Sequence, residues 1–134
     1  MVHQHVNHLA ILVAALIQWV LGAFWYSVAF GKLWRSLVGQ KNGSTASSAA
    51  VAMISSFIGG LFTSFILAHV ILWSEATNFP WGSFIGFMCW LGFVAPLLFA
   101  QTLFEKRSYL LFAINVSYWL FVFVITGGLL AQWQ

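Results

Sequence analysis

Four long apolar runs separated by short polar connections set the pattern of this chain. The first extends from about His8 to Ala29, the second from Ala46 to Trp73, the third from Trp81 to Phe104 and the fourth from Tyr109 to Ala131. Each reaches the roughly 20 residues that an α-helix needs to cross a hydrocarbon core. The pattern predicts an all-α membrane protein, one domain over residues 1–134. Connections this short predict an antiparallel four-helix bundle. The first holds Gly39, Asn42, Gly43 and Ser44, all linker residues; the second is Ser74–Pro80 and the third Glu105–Ser108. Within the third run Pro96 has no amide proton for the carbonyl of Gly92, which predicts a kink.

Composition names the solvent. The chain is 62% hydrophobic and 5% charged, whereas soluble domains carry about a quarter charged residues. So much apolar surface cannot be hidden in water by a chain of this size, so the expected partner is the lipid bilayer. The net charge of +3 rests on only five basic residues, which offers nothing for nucleic acid. Cys89 has no second cysteine to pair with.

The placement of those charges adds an orientation. Lys32, Arg35 and Lys41 follow the first run, and Lys106 and Arg107 follow the third. Cytoplasmic connections collect Lys and Arg, so both termini are expected outside, as in a bacterial inner membrane. The first run has its basic residues after it, which predicts an uncleaved helix. Trp25 and Trp34, beside Lys32, Arg35, Lys106 and Arg107, read as interface anchors.

Small residues predict where helices touch. In the second run Ser48, Ala52, Ser56, Gly60, Ser64 and Ala68 recur every four residues, a seam for close backbone approach. Ala10, Ala14, Gln18 and Gly22 make a shorter seam in the first run, with one amide in it. Tyr26, Ser27, Gln101 and Asn115 fall at similar inner depths and are expected to form an interhelical polar cluster.

On these runs and turns the chain resembles the domain of unknown function 1761 family, small four-helix membrane proteins. The resemblance rests on Asn7 and Leu9–Leu16, on Gly22, Trp25-Tyr26-Ser27, Phe30-Gly31-Lys32 and Trp34, and on Gly92-Phe93-Val94. It continues through Leu103-Phe104-Glu105, Asn115, Tyr118, Gly127-Gly128 and Trp133. It covers most of the chain and implies the four-helix topology, with no chemistry attached. Val28 stands where the family pattern usually has proline, which puts a sharp helix end at Ser27 in doubt.

Candidate chemistry is sparse. His3, His5 and His8 form a histidine-rich tail with metal-ligand residue types, set against the plainer reading of a solvated tail. His69 lies about one turn inside the second run, where ionisable groups are costly and are candidate sites. It is a candidate pigment or metal ligand, with a hydrogen-bonded structural histidine as the plainer alternative. His8, His69 and Glu75 share the outer depth. No cofactor is required by the sequence. The only carboxylates, Glu75 and Glu105, are expected on opposite sides of the membrane, so they cannot share an active site. The expected function is that of a non-enzymatic accessory or structural subunit, packing against other membrane proteins or copies of itself. The alternatives are a small transporter or channel, and a tetrapyrrole- or metal-binding subunit.

Overall fold

A computed structural model describes residues 6–38 and 46–134. Those residues are helical throughout their ordered elements and include no strand. Helix α1 spans His8–Phe24 and starts at Asn7, whose side-chain oxygen accepts from the amides of Leu9 and Ala10. Such a cap supplies acceptors to donors that the first helical turn leaves unpaired. It passes into one wide π-helical turn, Trp25–Ala29, closed by the Phe30 amide donating to the Trp25 carbonyl at 3.0 Å. The helix thus runs past Ser27, as Val28 in place of proline allows.

Helix α2 covers Gly31–Val38, a stretch to which the sequence pattern assigned no element. Its Leu33 and Leu37 lie four residues apart, a helical repeat visible in the sequence. Helix α3 follows at Ala46–Trp73, α4 at Phe79–Phe93, α5 at Ala95–Phe104 and α6 at Tyr109–Gln132. Among the described residues, four helical stretches are long and apolar enough to cross a membrane: His8–Ala29, Ala50–Trp73, Phe79–Phe104 and Tyr109–Gln132.

One boundary moves from the sequence expectation. The third span begins at Phe79, two residues before Trp81, because Asn78 caps it and Pro80 sits in the first turn, where no amide proton is needed. The same span breaks at Val94, beside Pro96, where the proline predicted a kink. Helices α3 and α5 both stop at a residue with positive φ, Glu75 at 61° and Lys106 at 54°. The next amide in each case turns back to the last helical turn, Ala76 to Ile71 and Arg107 to Thr102. Both ends are therefore Schellman-type caps that satisfy carbonyls the helix leaves open.

Helix α6 sits at the centre, in contact with α1, α3 and α4, and α4 lies along its flank. The tightest of these contacts is α4 on α6. A methyl group at Gly82 or Gly86 would collide with the carbonyl of Gly127 or Phe123, and one at Gly128 would meet the Phe79 ring and Ser83. Small residues four apart let two backbones approach this closely in lipid. Hydrogen bonds cross the same contact, from Ser83 Oγ to the Val124 carbonyl at 3.0 Å and from the Trp90 indole to the Val116 carbonyl at 2.9 Å.

The packed core fills one half of the molecule. Ala10, Ala14, Ile71 and Val122 are wholly or almost wholly buried there. Val6, Asn7, Leu72, Leu130 and Trp133 meet at that end, which brings together the start of α1 and the ends of α3 and α6. In the other half α3 draws away: every residue from Ala50 to Ser56 is exposed. A gap opens where it leaves.

Candidate functional site

The gap is a cleft of about 770 Å³ between α1, α3 and α6. Its α3 wall is built mostly of small residues, Ala52, Ser56, Gly59, Gly60 and Thr63, with Met53 among them. Opposite stand Trp19, Gly22, Ala23 and Tyr26 from the first span, with Leu111, Asn115, Tyr118 and Trp119 from α6. Arg107 lies at its edge and joins it to a smaller hollow of about 80 Å³ lined by Leu98, Gln101, Thr102 and Asn115. Apolar walls with a few convergent polar groups are the usual make-up of a small-molecule site, and the volume falls in the usual range.

The polar side chains that line the cleft differ in their partners. The Tyr26 hydroxyl donates to Asn115 Oδ1 at 2.7 Å. The Tyr118 hydroxyl donates to the backbone carbonyl of Gln18 at 2.7 Å, an approach that the missing side chain of Gly22 permits. Gln18 itself is 5% exposed, and its side-chain oxygen has no hydrogen-bond partner. An unpaired amide oxygen in an apolar site costs roughly 1–3 kcal/mol, and lipid supplies no water to relieve it. Gly60 lies beside this amide, and a methyl there would make ordinary contact with it at 3.4 Å.

The wide turn at Trp25–Ala29 shapes one end of the cleft. Trp25 and Tyr26 are adjacent in sequence, yet both reach α6 from it. The Trp25 indole donates to the Ile114 carbonyl at 3.1 Å, and its ring packs among Phe30, Tyr118 and Phe121. The indole N–H of Trp25, expected as an interface anchor, thus finds its acceptor within the chain, as an N–H in an apolar medium requires. Trp19 does the same toward α3, donating to the Met53 carbonyl at 3.1 Å.

The remaining sequence candidates scatter. Tyr26 and Asn115 meet, but Ser27 is exposed and its hydroxyl turns back to the Ala23 carbonyl. Gln101 is exposed too, reaching Glu105 at 3.4 Å and facing the smaller hollow. Glu105 pairs with Arg107 at 2.6 Å on the surface, and Lys106 is exposed beside them. Lys32 is exposed; the side chains of Trp34 and Arg35 lie outside the described residues.

In the expected seam of α3, Gly60, Ser64 and Ala68 are buried, whereas Ala52 and Ser56 face the cleft. The side chain of Ser48 lies outside the described residues, as do His3 and His5. His69 Nδ1 sits 2.8 Å from the Phe65 carbonyl, with its ring between Phe65 and Trp73. His8 and Glu75 are exposed, and no group of three metal-ligating side chains forms among the described residues. The helix spacing that places His69 beside Phe65 and Trp73 keeps it on its own helix face.

Residues 9–131 match the model of the family described as Protein of unknown function (DUF1761), and the chain belongs to that family. No curated protein and no solved structure matches it.

Proposed function

We propose that this member of the family is a non-enzymatic, four-pass membrane protein that works by binding a hydrophobic component of the bilayer in the cleft. The carrying observation is the cleft itself, about 770 Å³ of space left by the divergence of α3. Its α3 wall from Ala52 to Thr63 is about 16 Å long at the helical rise. A slender, chain-like molecule laid along that wall matches its length.

Its setting in the membrane follows from charge and connection length. The short connections support antiparallel spans. Lys32, Arg35, Lys41, Lys106 and Arg107 support a cytoplasmic position for the first and third connections and an outside one for both termini, the arrangement of a bacterial inner-membrane protein. The cleft then belongs to the cytoplasmic half. A through-pore gains no support, because Ala10, Ala14, Ile71 and Val122 fill the outer half. Enzyme chemistry gains none either, since Glu75 and Glu105 stand in different connections.

The test is a filled cleft. A Cβ at Gly59 would have nothing within 4 Å, so Gly59→Phe can project its ring without a clash. Wild type extracted gently from its native membrane is expected to retain a bound hydrophobic molecule by mass spectrometry, and Gly59→Phe to lose it. Equal retention by both proteins, or nothing retained by wild type, counts decisively against this reading.

A second reading, an accessory subunit packing on other membrane proteins or on its own copies, has a separate observation behind it. In the most apolar window of span Phe79–Phe104 only 6% of the residues are buried within the chain, so the face turned away from α6 is left to lipid or to a partner. Cross-linking from Phe84→Cys in native membranes is expected to capture a protein neighbour. An uncross-linked monomer at every position tried along that face sinks this second reading.

A further inference from the structure

We propose that the occupant of the cleft is an uncharged lipid-like alcohol, a molecule with an apolar chain and a hydroxyl head that hydrogen-bonds the Gln18 side chain. This rests on the cleft being a binding site, as proposed above, and adds what the site selects.

Gln18 specifies the polar group. Its amide is buried, lines the cleft and leaves its oxygen without a donor. The hydroxyls that line the cleft are committed: Tyr118 donates to the Gln18 backbone carbonyl, Tyr26 to Asn115, and Ser56 and Thr63 to carbonyls of their own helix. What the site lacks is a donor, and the incoming molecule has to bring one. A hydroxyl brings a donor and also accepts, which suits a carboxamide offering both an oxygen and an NH2 group.

Depth and charge exclude an ionic head. Gln18 lies about halfway along the span His8–Ala29, near the middle of the hydrocarbon. A charged group is expensive at that depth and is tolerated only with a partner. Among the lining residues Arg107 alone carries charge; it stands at the edge and is already paired with Glu105 at 2.6 Å. A neutral head therefore meets its complement at Gln18, whereas a carboxylate or phosphate does not.

The walls specify the rest. Ala52, Ser56, Gly59 and Thr63 form a shallow track along α3, faced by Trp19, Leu111 and Trp119. A single chain laid in that track leaves sideways between α3 and the other helices into the bilayer. Small-residue walls of this kind accept methylene groups without a shape requirement, so chain length is loosely selected and the head strictly.

Native mass spectrometry in nanodiscs separates these claims, with three probes: 1-monooleoylglycerol, oleate and 1-octadecene. The expected result is one monooleoylglycerol per chain, bound about tenfold more tightly than octadecene, as one hydrogen bond in an apolar site supplies. Gln18→Met is expected to bring the glyceride down to the level of octadecene. Gly59→Phe is expected to abolish binding of both. Should Gln18→Met fail to fold, Gln18→Asn keeps the amide but withdraws it by one methylene, and is expected to reduce the preference. Unchanged preference in a folded Gln18 variant, or tighter binding of oleate, overturns the hydroxyl assignment while sensitivity to Gly59→Phe preserves the cleft. Insensitivity to all three variants removes both.

Discussion

Gly86→Leu is expected to detach α4 from α6 and to be the most damaging single substitution in the described chain. The argument starts from the solvent. Between helices in lipid there is little hydrophobic drive, because a lipid tail is as apolar as leucine. What holds α4 to α6 is close packing and the hydrogen bonds that close packing permits. At Gly86 the neighbour is backbone: a methyl there collides with the Phe123 carbonyl, and helix α6 cannot yield as a side chain would. Leucine pushes the helices apart, and the Ser83–Val124 and Trp90–Val116 hydrogen bonds lengthen with them.

Overpacking typically costs about 1–3 kcal/mol, and this site, with no flexible neighbour, belongs at or above the upper end. Gly92→Leu is the control, on the same span and with nothing within 4 Å of its Cβ. Unfolding in mild detergent is expected to show Gly86→Leu destabilised by roughly 3 kcal/mol and Gly92→Leu within about 0.5 kcal/mol of wild type. Similar stability in both variants defeats the prediction.

That same contact marks a limit of reading the chain from sequence. The four spans are legible because lipid forces backbone groups to be satisfied within each helix, so a long apolar run has one outcome. Helix contacts are less legible, because many small residues compete for a few interfaces. The period-four series on α3 is longer than Gly82-x-x-x-Gly86, yet the tighter approach is the glycine pair on α4 against Gly127 and the Phe123 carbonyl. Both signals were present in the sequence; glycine permits what serine and alanine do not.

The cleft lies further out of reach. Tyr26 and Asn115 share a depth and do meet, since depth can be counted from a span end. Ser27 and Gln101 share it too and face elsewhere, since depth says nothing of azimuth. Gln18 stands out in sequence as the one amide in a small-residue series, but its missing donor depends on where the two tyrosine hydroxyls point. The divergence of α3 has no local signature at all. The wide turn that puts Trp25 and Tyr26 on one neighbour is equally silent, apart from the absence of proline at Val28.

Tyr118 is where these geometric facts converge, and its two truncations are expected to differ in kind. The ring is 6% exposed and packs against Trp25, Tyr26 and Trp119. Its hydroxyl reaches the Gln18 carbonyl past Gly22. Tyr118→Phe removes only the hydroxyl. Hydrogen bonds between membrane helices average about 0.6 kcal/mol and reach about 1.7 kcal/mol, so a loss in that interval is expected with the fold intact.

Tyr118→Ala also removes the ring, and with it the dispersion contacts of three aromatic neighbours. Deleting a large core ring from a soluble protein costs about 3–5 kcal/mol, of which transfer from water is a part that lipid does not repeat. An intermediate loss of roughly 2–3 kcal/mol follows, with the cavity merging into the cleft beside it. The two variants also diverge in the binding assay. In the Phe variant the Gln18 carbonyl loses only the tyrosine donor, and the side-chain oxygen still lacks a donor, so selection for the hydroxyl head is expected to persist. In the Ala variant the wall itself is gone, and monooleoylglycerol is expected to bind no better than octadecene. Equal losses of stability in the two variants would mean that the hydroxyl, and not the ring, holds α6 against α1.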